Sequence, residues 1–316
     1  MHKRLVVDNT YHSLLLYILS YKNWKDAEFI IIRGRVSEKF IERLSQYVNV
    51  EVMDNWPVIW LKNPIKSFLN RRNLLKKLDS VTEVVGNIYE LKLELAKYPK
   101  MSPVHVDDGR MTLEQLNGSF HQKIKYKFLR DNFFIRHLCK INYHNCNFFN
   151  NLLLPSSYKG KFPRDAPITG SVNYVDLKRE LFILDEKSKK EIEDIFSFDS
   201  SHLTNKIENL LLLQPLSKEG FVKNDNEEIE IYRKIIAEQF GEQSKKVFIK
   251  PHPRKSINYS DYFPNCTILS GDFPYELFLA YEIELGKVVT ISSSGVSELS
   301  EISEEIIVYG HNEILG

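Results

Sequence analysis

A histidine between two prolines is the first candidate for chemistry in this chain. His252 lies in the stretch KVFIKPHPRKSINY, residues 246–259, directly after an apolar run at 247–249 that predicts a buried strand. Proline donates no ladder hydrogen bond, so Pro251 ends the strand, and Pro253 keeps His252 out of the helical region. Ligands bind at the carboxyl edge of parallel sheets, and imidazole exchanges protons near neutral pH. The stretch indicates either a ligand-binding histidine or a plain turn.

Three consecutive serines form a second candidate at a strand end. Ser292, Ser293 and Ser294 follow a strand predicted at 288–291 and precede a helix predicted at 296–305. A helix start offers free backbone N–H groups, the positive end of a dipole and hydroxyl donors, which together suit a phosphate. The alternative is that one serine only caps the helix.

Two further candidates are carboxylates, one at the start of a predicted helix and one pair at the end of a predicted strand. Glu276 falls in the first turn of a helix predicted at 274–281, where it either favours the helix dipole or accepts hydrogen bonds from ribose hydroxyls. Asp107 and Asp108 follow a strand predicted at 104–106 and precede a glycine, which indicates either a tight turn or a general base. Either aspartate can point inward, because successive strand side chains face opposite ways. The sequence contains no Asp-x-Asp pair that would serve as a metal clamp for a diphosphate.

Composition limits the classes of function. The chain has 316 residues, and 43 Lys plus Arg against 42 Asp plus Glu leave a formal charge of +1, so we expect no nucleic-acid partner. No apolar stretch approaches the roughly 20 residues of a membrane span, and polar residues interrupt the N-terminal apolar run before a signal peptide forms. We expect a cytoplasmic protein, because three cysteines form neither a disulfide framework nor a zinc pattern: Cys139, Cys146 and Cys266.

Both halves of the chain alternate short apolar runs with amphipathic segments. The first half has predicted strands at 5–7, 29–32, 48–53, 84–85 and 104–106 and a helix at 11–21. The second half has strands at 210–213, 247–249, 267–269 and 288–291 and helices at 227–240, 274–281 and 296–305. This alternation predicts an α/β protein with parallel sheets. We expect two Rossmann-like domains, 1–205 and 206–316, that face each other across a cleft in a GT-B architecture.

An aromatic and basic segment at 121–141 reads HQKIKYKFLRDNFFIRHLCKI. It predicts a helix that packs on the first domain with a solvated cationic face. The alternative is a peripheral contact with the inner face of an anionic membrane, or with a partner chain. A homodimer is one such arrangement.

These motifs, in this order, resemble those of bacterial sialyltransferases. Such enzymes have an acidic pair followed by glycine in the first domain, and His-Pro and then Ser-Ser in the second. The corresponding residues here are Asp107-Asp108-Gly109, His252-Pro253 and Ser293-Ser294. The segments NTYHSLL at 9–15, QPLS at 214–217 and KPHPR at 250–254 resemble glycosyltransferase family 52, and within it the capsular polysaccharide sialyltransferases of streptococcal type.

The resemblance implies a donor, a mechanism and roles for residues. It implies a GT-B fold, CMP-sialic acid (CMP-Neu5Ac) as donor, no metal or cofactor, and inversion at the anomeric carbon. Asp107, or Asp108 in its place, would be the base and His252 the acid or phosphate partner. Asp225 and Glu230 are alternative bases. Donor-binding positions would be Lys250, Pro251, Glu276, Ser292, Ser293 and Ser294, and acceptor-side positions Asn9, Thr10, Tyr11 and His12.

The expected reaction is transfer of sialic acid to a terminal galactose of a capsular or surface glycan, with an α-2,3 linkage. Two alternatives remain. One is a CDP-glycerol-type polymer glycerophosphotransferase, which also carries Lys-x-His-Pro and serine-rich loops. The other is a sugar-nucleotide-binding protein without turnover.

Overall fold

The computed structural model describes residues 3–54, 64–91, 95, 98, 101–106, 151–161, 170–203, 205–241, 246–255, 257–292, 295–310 and 313. Asp107, Asp108, Ser293, Ser294 and the segment 121–141 lie outside the described residues. The chain divides into two compact units, 1–180 and 181–316, whereas the sequence placed the boundary after residue 205.

The first unit contains a seven-stranded parallel sheet. Its strands are β1 (Arg4–Asp8), β2 (Glu28–Ile32), β3 (Val50–Met53), β4 (Glu83–Gly86), β5 (Ser102–Val106), β6 (Asn151–Pro155) and β7 (Val172–Val175). Their order is β3-β2-β1-β4-β5-β6-β7. The order reverses between β1 and β4, the point at which doubly wound sheets bind ligands.

In the described part of this region, three helices connect or cover the first four strands, namely α1 (Tyr11–Ser20), α2 (Glu38–Ser45) and α3 (Pro64–Leu78). Helix α1 is buried from its first residue to Leu19, as expected for a helix that is apolar on nearly all sides. Its N-cap is Thr10, whose hydroxyl accepts a hydrogen bond from the Ser13 N–H. Gly86 has a φ of +133°, and a Cβ there would lie 2.2 Å from the Val7 carbonyl oxygen, so only glycine allows β4 to leave the sheet so close to β1.

The second unit contains a five-stranded parallel sheet. Its strands are β8 (Lys206–Leu212), β9 (Val247–Lys250), β10 (Thr267–Ile268), β11 (Glu284–Ile291) and β12 (Ser303–Tyr309), in the order β10-β9-β8-β11-β12. This order also reverses, between β8 and β11. The three inner strands β8, β9 and β11 contain buried apolar runs, as expected for parallel strands that are covered on both faces, whereas the edge strand β12 is partly exposed.

Helices of the second unit complete its core. They are α4 (Leu177–Phe182), which spans the division between the units, α5 (Glu186–Phe196), α6 (Asp225–Phe240) and α7 (Glu276–Ala280). Asn224 caps α6 by accepting from the Glu227 N–H. Tyr232, Ile235 and Phe240 of α6 pack in a cluster with Leu211, Ile249 and Val289 of the central strands.

The predicted helix at 296–305 is wrong in its second half. Gly295–Glu301 is a 3-10 helix, and Ser303 already begins β12, which pairs in parallel with β11 from Leu285↔Ser303 to Ile291↔Tyr309. Leucine and isoleucine at helical spacing suggested a helix, but β-branched residues at 306–308 fit an edge strand once β11 offers its backbone.

Candidate functional site

Lys250 is the last residue of β9 and points a nearly buried cation at the carboxyl edge of the second sheet. The residue is 7% exposed, and its Nζ lies 4.6 Å from the centroid of the Phe273 ring. Burial lowers the pKa of the ammonium to about 8, against the opposing attraction of Glu276 and Asp272. At pH 7 Lys250 is therefore still protonated but poorly hydrated, a state in which a phosphate oxygen is a strong partner.

His252 lies two residues after Lys250, in the segment that follows β9. Its Nδ1 accepts a hydrogen bond from the Arg254 N–H at 3.2 Å, and its carbonyl oxygen accepts from the Lys255 N–H at 3.0 Å. Burial first, and then the charges of Arg254, Lys250 and Lys218, lower the pKa of His252 to about 3. The imidazole is therefore neutral at pH 7. Because Nδ1 is an acceptor, the proton is on Nε2.

This protonation state separates the two roles that the sequence left open for His252. A group with a pKa near 3 is a poor proton donor at pH 7, but its neutral Nε2–H donates a hydrogen bond to an anion. The geometry thus favours a phosphate partner over a general acid.

A polar network centred on the buried Lys255 and Glu228 holds the loop that carries His252. The Lys255 ammonium is 2.5 Å from Asp225 Oδ1 and 3.2 Å from Glu228 Oε2, and it donates to Ser217 Oγ at 2.6 Å. The fully buried Glu228 also accepts from the Ser217 N–H at 2.7 Å and from the Tyr259 hydroxyl at 3.2 Å. These contacts join the loops that follow β8 and β9 to the start of α6.

Ion pairs also involve Asp225 and Glu230, the two residues that the sequence offered as alternative general bases. Asp225 is the ion-pair partner of Lys255, and hydrogen bonds from Lys255 and Ser217 lower its pKa. Glu230 pairs with Arg233, whose Nη1 is 2.5 Å from Glu230 Oε1. A base needs a pKa near the working pH, so the environment of Asp225 disfavours that role.

Glu276 is the first residue of α7 and is 3% exposed. The predicted helix at 274–281 is shorter in the structure, with Tyr275 as its N-cap. The Glu276 carboxylate attracts the Lys250 ammonium. This attraction is a third explanation for a carboxylate at this position, beside the helix dipole and the ribose contact. Two opposite buried charges thus lie beside the strand end that carries His252.

Ser292 follows β11 at the point where the second sheet reverses its strand order. Its φ is +46°, a left-handed conformation that costs free energy for serine, and its N–H donates to the Tyr309 carbonyl at 2.9 Å. Residues held in this conformation cluster at ligand sites. The 3-10 helix that follows is short, so the expected dipole contribution to phosphate binding is not supported.

The acceptor-side segment lies at the equivalent edge of the first sheet, between β1 and α1. Thr10 caps α1, and the Tyr11 hydroxyl accepts from the Ser37 N–H at 2.7 Å. Asn9 Oδ1 accepts from Asn87 Nδ2 at 3.2 Å, and His12 is buried. These contacts of Asn9, Thr10 and Tyr11 are with other residues of the first unit, and they join the first turn of α1 to Asn87 after β4 and to the start of α2.

Asp8, the last residue of β1, is a buried charged group that sequence reasoning missed. Its Oδ1 accepts from the Asn9 N–H at 2.7 Å, the Thr10 N–H at 3.0 Å and Ser13 Oγ at 2.5 Å, and its Oδ2 accepts from the Asn87 N–H at 3.1 Å. Burial raises the pKa of Asp8 to about 6 in spite of these hydrogen bonds. An aspartate at the end of an apolar strand, just before a capping threonine, was the signal available in the sequence.

Within the described ranges, no group of three or more His, Cys, Asp or Glu side chains is arranged to hold a metal ion. Among the same residues, no helix combines the length and the apolar character needed to cross a bilayer.

Comparison with known proteins adds two kinds of similarity. The sequence profile of glycosyltransferase family 52 matches residues 168–310, which include β7 to β12 and every site residue of the second unit. The second unit therefore resembles that family. A protein of Haemophilus influenzae, described only as uncharacterised, is 32% identical over 145 residues, 45% of each chain. The chain thus matches less than half the length of this relative.

Similarity of fold extends further along the chain. The GT-B domain of a sialyltransferase from Photobacterium damselae, residues 113–497 of that enzyme, matches 98% of this chain and 100% of its own length at a TM-score of 0.53 and 12% identity. At that identity the likeness concerns the fold alone. The chain has the GT-B fold, and the predicted fold class is confirmed.

Proposed function

We propose that this protein is a metal-independent, inverting sialyltransferase that moves sialic acid from CMP-Neu5Ac to a terminal galactose of a capsular or surface glycan. The observation that carries the proposal is the overlap of two findings on the same residues. The segment that matches glycosyltransferase family 52 contains the carboxyl edge of the second sheet, where Lys250 and His252 lie at the end of β9 and Ser292 follows β11.

The charges at this edge fit the departure of CMP. The transition state of sialyl transfer is oxocarbenium-like, and negative charge grows on the phosphate oxygen that leaves. Fixed donors aimed at a developing charge are worth more in a dry site than in water. The Lys250 ammonium and the neutral His252 Nε2–H would be donors of this kind, and the Lys255 network would keep the histidine in place.

The nucleotide would be held on the same side. Glu276 would accept from ribose hydroxyls, Pro251 would shape the loop, and Ser292, Ser293 and Ser294 would donate to the phosphate. A single phosphate met by an ammonium, an imidazole N–H and hydroxyls has no need of a divalent cation. We expect transfer at full rate in the presence of a chelator.

Inversion requires a base on the sugar face opposite CMP. We assign this role to Asp107, with Asp108 as the alternative, because the carboxylate follows β5 at a strand end of the first unit. The acceptor would approach that unit, where Asn9, Thr10, Tyr11 and His12 follow β1.

The test is turnover of purified protein with CMP-Neu5Ac and a terminal β-galactoside, followed by linkage analysis of the product. CDP-glycerol is assayed in parallel, and each reaction is repeated with EDTA. Sialyl transfer in EDTA supports the proposal, and an absolute need for Mg²⁺ or Mn²⁺ contradicts its metal-independent form. Turnover of CDP-glycerol alone would favour the glycerophosphotransferase, and CMP-Neu5Ac binding with neither transfer nor hydrolysis would favour a binding protein.

A further inference from the structure

Helix α3 in the first unit exposes a row of large apolar side chains. Ile65, Phe68 and Leu69 are 73%, 60% and 49% exposed. Their spacing of i, i+3 and i+4 places them on one face of the helix. A helix that covers a sheet normally has polar side chains on the face that is turned away from the sheet. An exposed row of apolar side chains on that face therefore needs an explanation.

The opposite face of the same helix already has its packing partner. Leu74 and Leu78 are buried against Leu5, Ile30 and other residues of the first sheet's core. The exposed row is therefore not a core face that has lost its cover. It is a second apolar surface on a helix that is already anchored.

The charges of α3 are all of one sign. The helix sequence PIKSFLNRRNLLKKL contains lysine and arginine but no aspartate or glutamate. Lys66 pairs with Asp54, and Lys77 with Glu28 and Glu51, so these two cations serve the fold. Arg72 and Lys76 continue the exposed row at i+7 and i+11 from Ile65, and both are exposed.

Apolar side chains at one end of an exposed helical face and cations at the other match the interfacial layer of a membrane. In such helices the apolar groups enter the boundary between headgroups and acyl chains, and the cations attract anionic lipid. The sequence just before α3, WPVIWL at 56–61, is apolar and has two tryptophans, a residue enriched at this boundary, although it lies outside the described residues.

Another exposed apolar pair provides a contrast. Phe182 and Ile183 are 77% and 56% exposed, but they are adjacent in sequence and follow the mixed charges of Lys178, Arg179 and Glu180 in α4. Scattered exposed apolar residues are normal in proteins. Among the described exposed apolar residues, the α3 row combines helical spacing with charge of a single sign, and the Phe182 and Ile183 pair does not.

We propose that the exposed face of α3, formed by Ile65, Phe68, Leu69, Arg72 and Lys76, docks the protein on an anionic lipid surface. This face is distinct from the segment 121–141. The proposal concerns the first unit and does not rest on the proposed transferase activity.

The test is flotation of the full chain with vesicles of phosphatidylcholine alone or mixed with phosphatidylglycerol. We expect binding to the mixed vesicles that weakens with added salt. The variant Ile65→Ser/Phe68→Ser/Leu69→Ser should lose about 10-fold or more in partitioning, because its row no longer enters the interface. The variant Arg72→Gln/Lys76→Gln should partition about 10-fold less onto the mixed vesicles, and its binding should lose most of the dependence on salt.

The matched control is Phe182→Ser/Ile183→Ser, which removes exposed apolar area elsewhere and should bind as the wild type does. Circular dichroism and sedimentation of each variant check folding and oligomeric state. Equal binding to neutral and anionic vesicles, or wild-type binding by the serine variant, overturns the proposal. So does a dimer that the serine variant dissociates in the absence of lipid binding, which would make the face a contact between two copies.

Discussion

The two sheets have the same strand topology, but the polar groups at their carboxyl edges differ in their hydrogen-bond partners. Each reverses its strand order next to its first strand, at β1/β4 and at β8/β11. At the first edge the charged group, Asp8, accepts four hydrogen bonds from the protein's own backbone and Ser13. At the second edge the charged and polar groups are Lys250 and His252, and neither the ammonium nor Nε2 has a hydrogen-bond partner among the described residues.

The difference shows that a reversal of strand order marks a position where a ligand can bind, but does not by itself show that a ligand binds there. In the first unit the chain fills the position itself, because the Asp8 carboxylate occupies the helix start that would otherwise bind an anion. In the second unit the helix after β8 begins with Asp225, Glu227 and Glu228, which would repel an anion. An anionic ligand at this edge would therefore bind beside β9 and β11. Changes at the two edges should therefore affect different quantities.

The largest effect is expected for Asp107→Asn. Loss of the proposed general base should depress transfer by about 10²–10⁴-fold, while CMP affinity should stay near that of the wild type, because we propose that the nucleotide binds the second unit. Hydrolysis of CMP-Neu5Ac by water should suffer less. Steady-state rates with and without acceptor, and calorimetry with CMP, measure these quantities. Wild-type transfer by Asp107→Asn, with loss in Asp108→Asn or Asp225→Asn, would move the role to that residue.

His252→Ala should lower both transfer and donor hydrolysis, by about 10²–10³-fold, because both break the same bond to CMP. His252→Gln keeps an N–H donor and should recover part of the loss. Wild-type transfer by His252→Ala would make the histidine a turn residue.

The charge state of His252 can be tested apart from activity. Its folded pKa of about 3 lies below the unfolded value of about 6.5, so the folded state binds fewer protons between these values. The contribution of His252 to stability is present above pH 6.5 and declines as pH falls towards 3. NMR of the labelled imidazole should show no titration near pH 6.5, and a midpoint there would restore the general-acid role.

Lys250→Met should weaken CMP binding by about 10-fold or more, since a hydrogen bond to a charged group contributes roughly 1.5–3 kcal/mol. The control is Lys287→Met, which removes a lysine of β11 that pairs with Glu305. Calorimetry with CMP measures both variants. Equal affinity in Lys250→Met and wild type would assign Lys250 to the charge balance of the protein interior alone.

Asp8→Asn should act on stability and not on the donor. An amide oxygen cannot accept from all four donors that surround the carboxylate, and each buried donor left without a partner costs about 1–3 kcal/mol. We expect a lower free energy of unfolding with unchanged CMP affinity, by denaturant titration and calorimetry. Weakened CMP binding in a folded Asp8→Asn variant would contradict the separation between the two edges.

The pH dependence of Asp8 has a definite sign. Its folded pKa of about 6 exceeds the unfolded value of about 3.9, so its contribution to stability is full below pH 3.9 and is lost as pH rises through 6. The variant should lack this decline between pH 4 and 6. An identical profile in wild type and variant would show that Asp8 does not titrate there.

The smallest effect is expected for Glu276→Ala, a loss of about 10-fold or less in CMP affinity if the carboxylate accepts from the ribose. Glu227→Ala, in the first turn of α6, is the matched control.

Glu276→Gln combined with Lys250→Met should recover stability that Lys250→Met alone loses, because the pair of charges is removed together. Unchanged CMP affinity in Glu276→Ala would leave Glu276 only its pairing and dipole roles.

Much of the fold was determined by the sequence itself. The apolar runs at 5–7, 29–32, 247–249 and 288–291 all became central strands, because a run buried on both faces has few alternatives to a parallel sheet. Proline also acts locally, so the end of β9 at Lys250 and the absence of helix at His252 were predictable from Pro251 and Pro253.

Tertiary structure decided what depends on partners distant in sequence. The segment after residue 301 reads as helix by spacing, and only the backbone of β11 makes it a strand. The sequence assigned His252 either of two roles, and burial together with Arg254, Lys250 and Lys218 made it a neutral donor. The sequence did not single out Asp8, because part of its environment comes from β4, which brings Asn87 beside it. A pKa and a set of hydrogen bonds depend on the groups that folding assembles around a side chain.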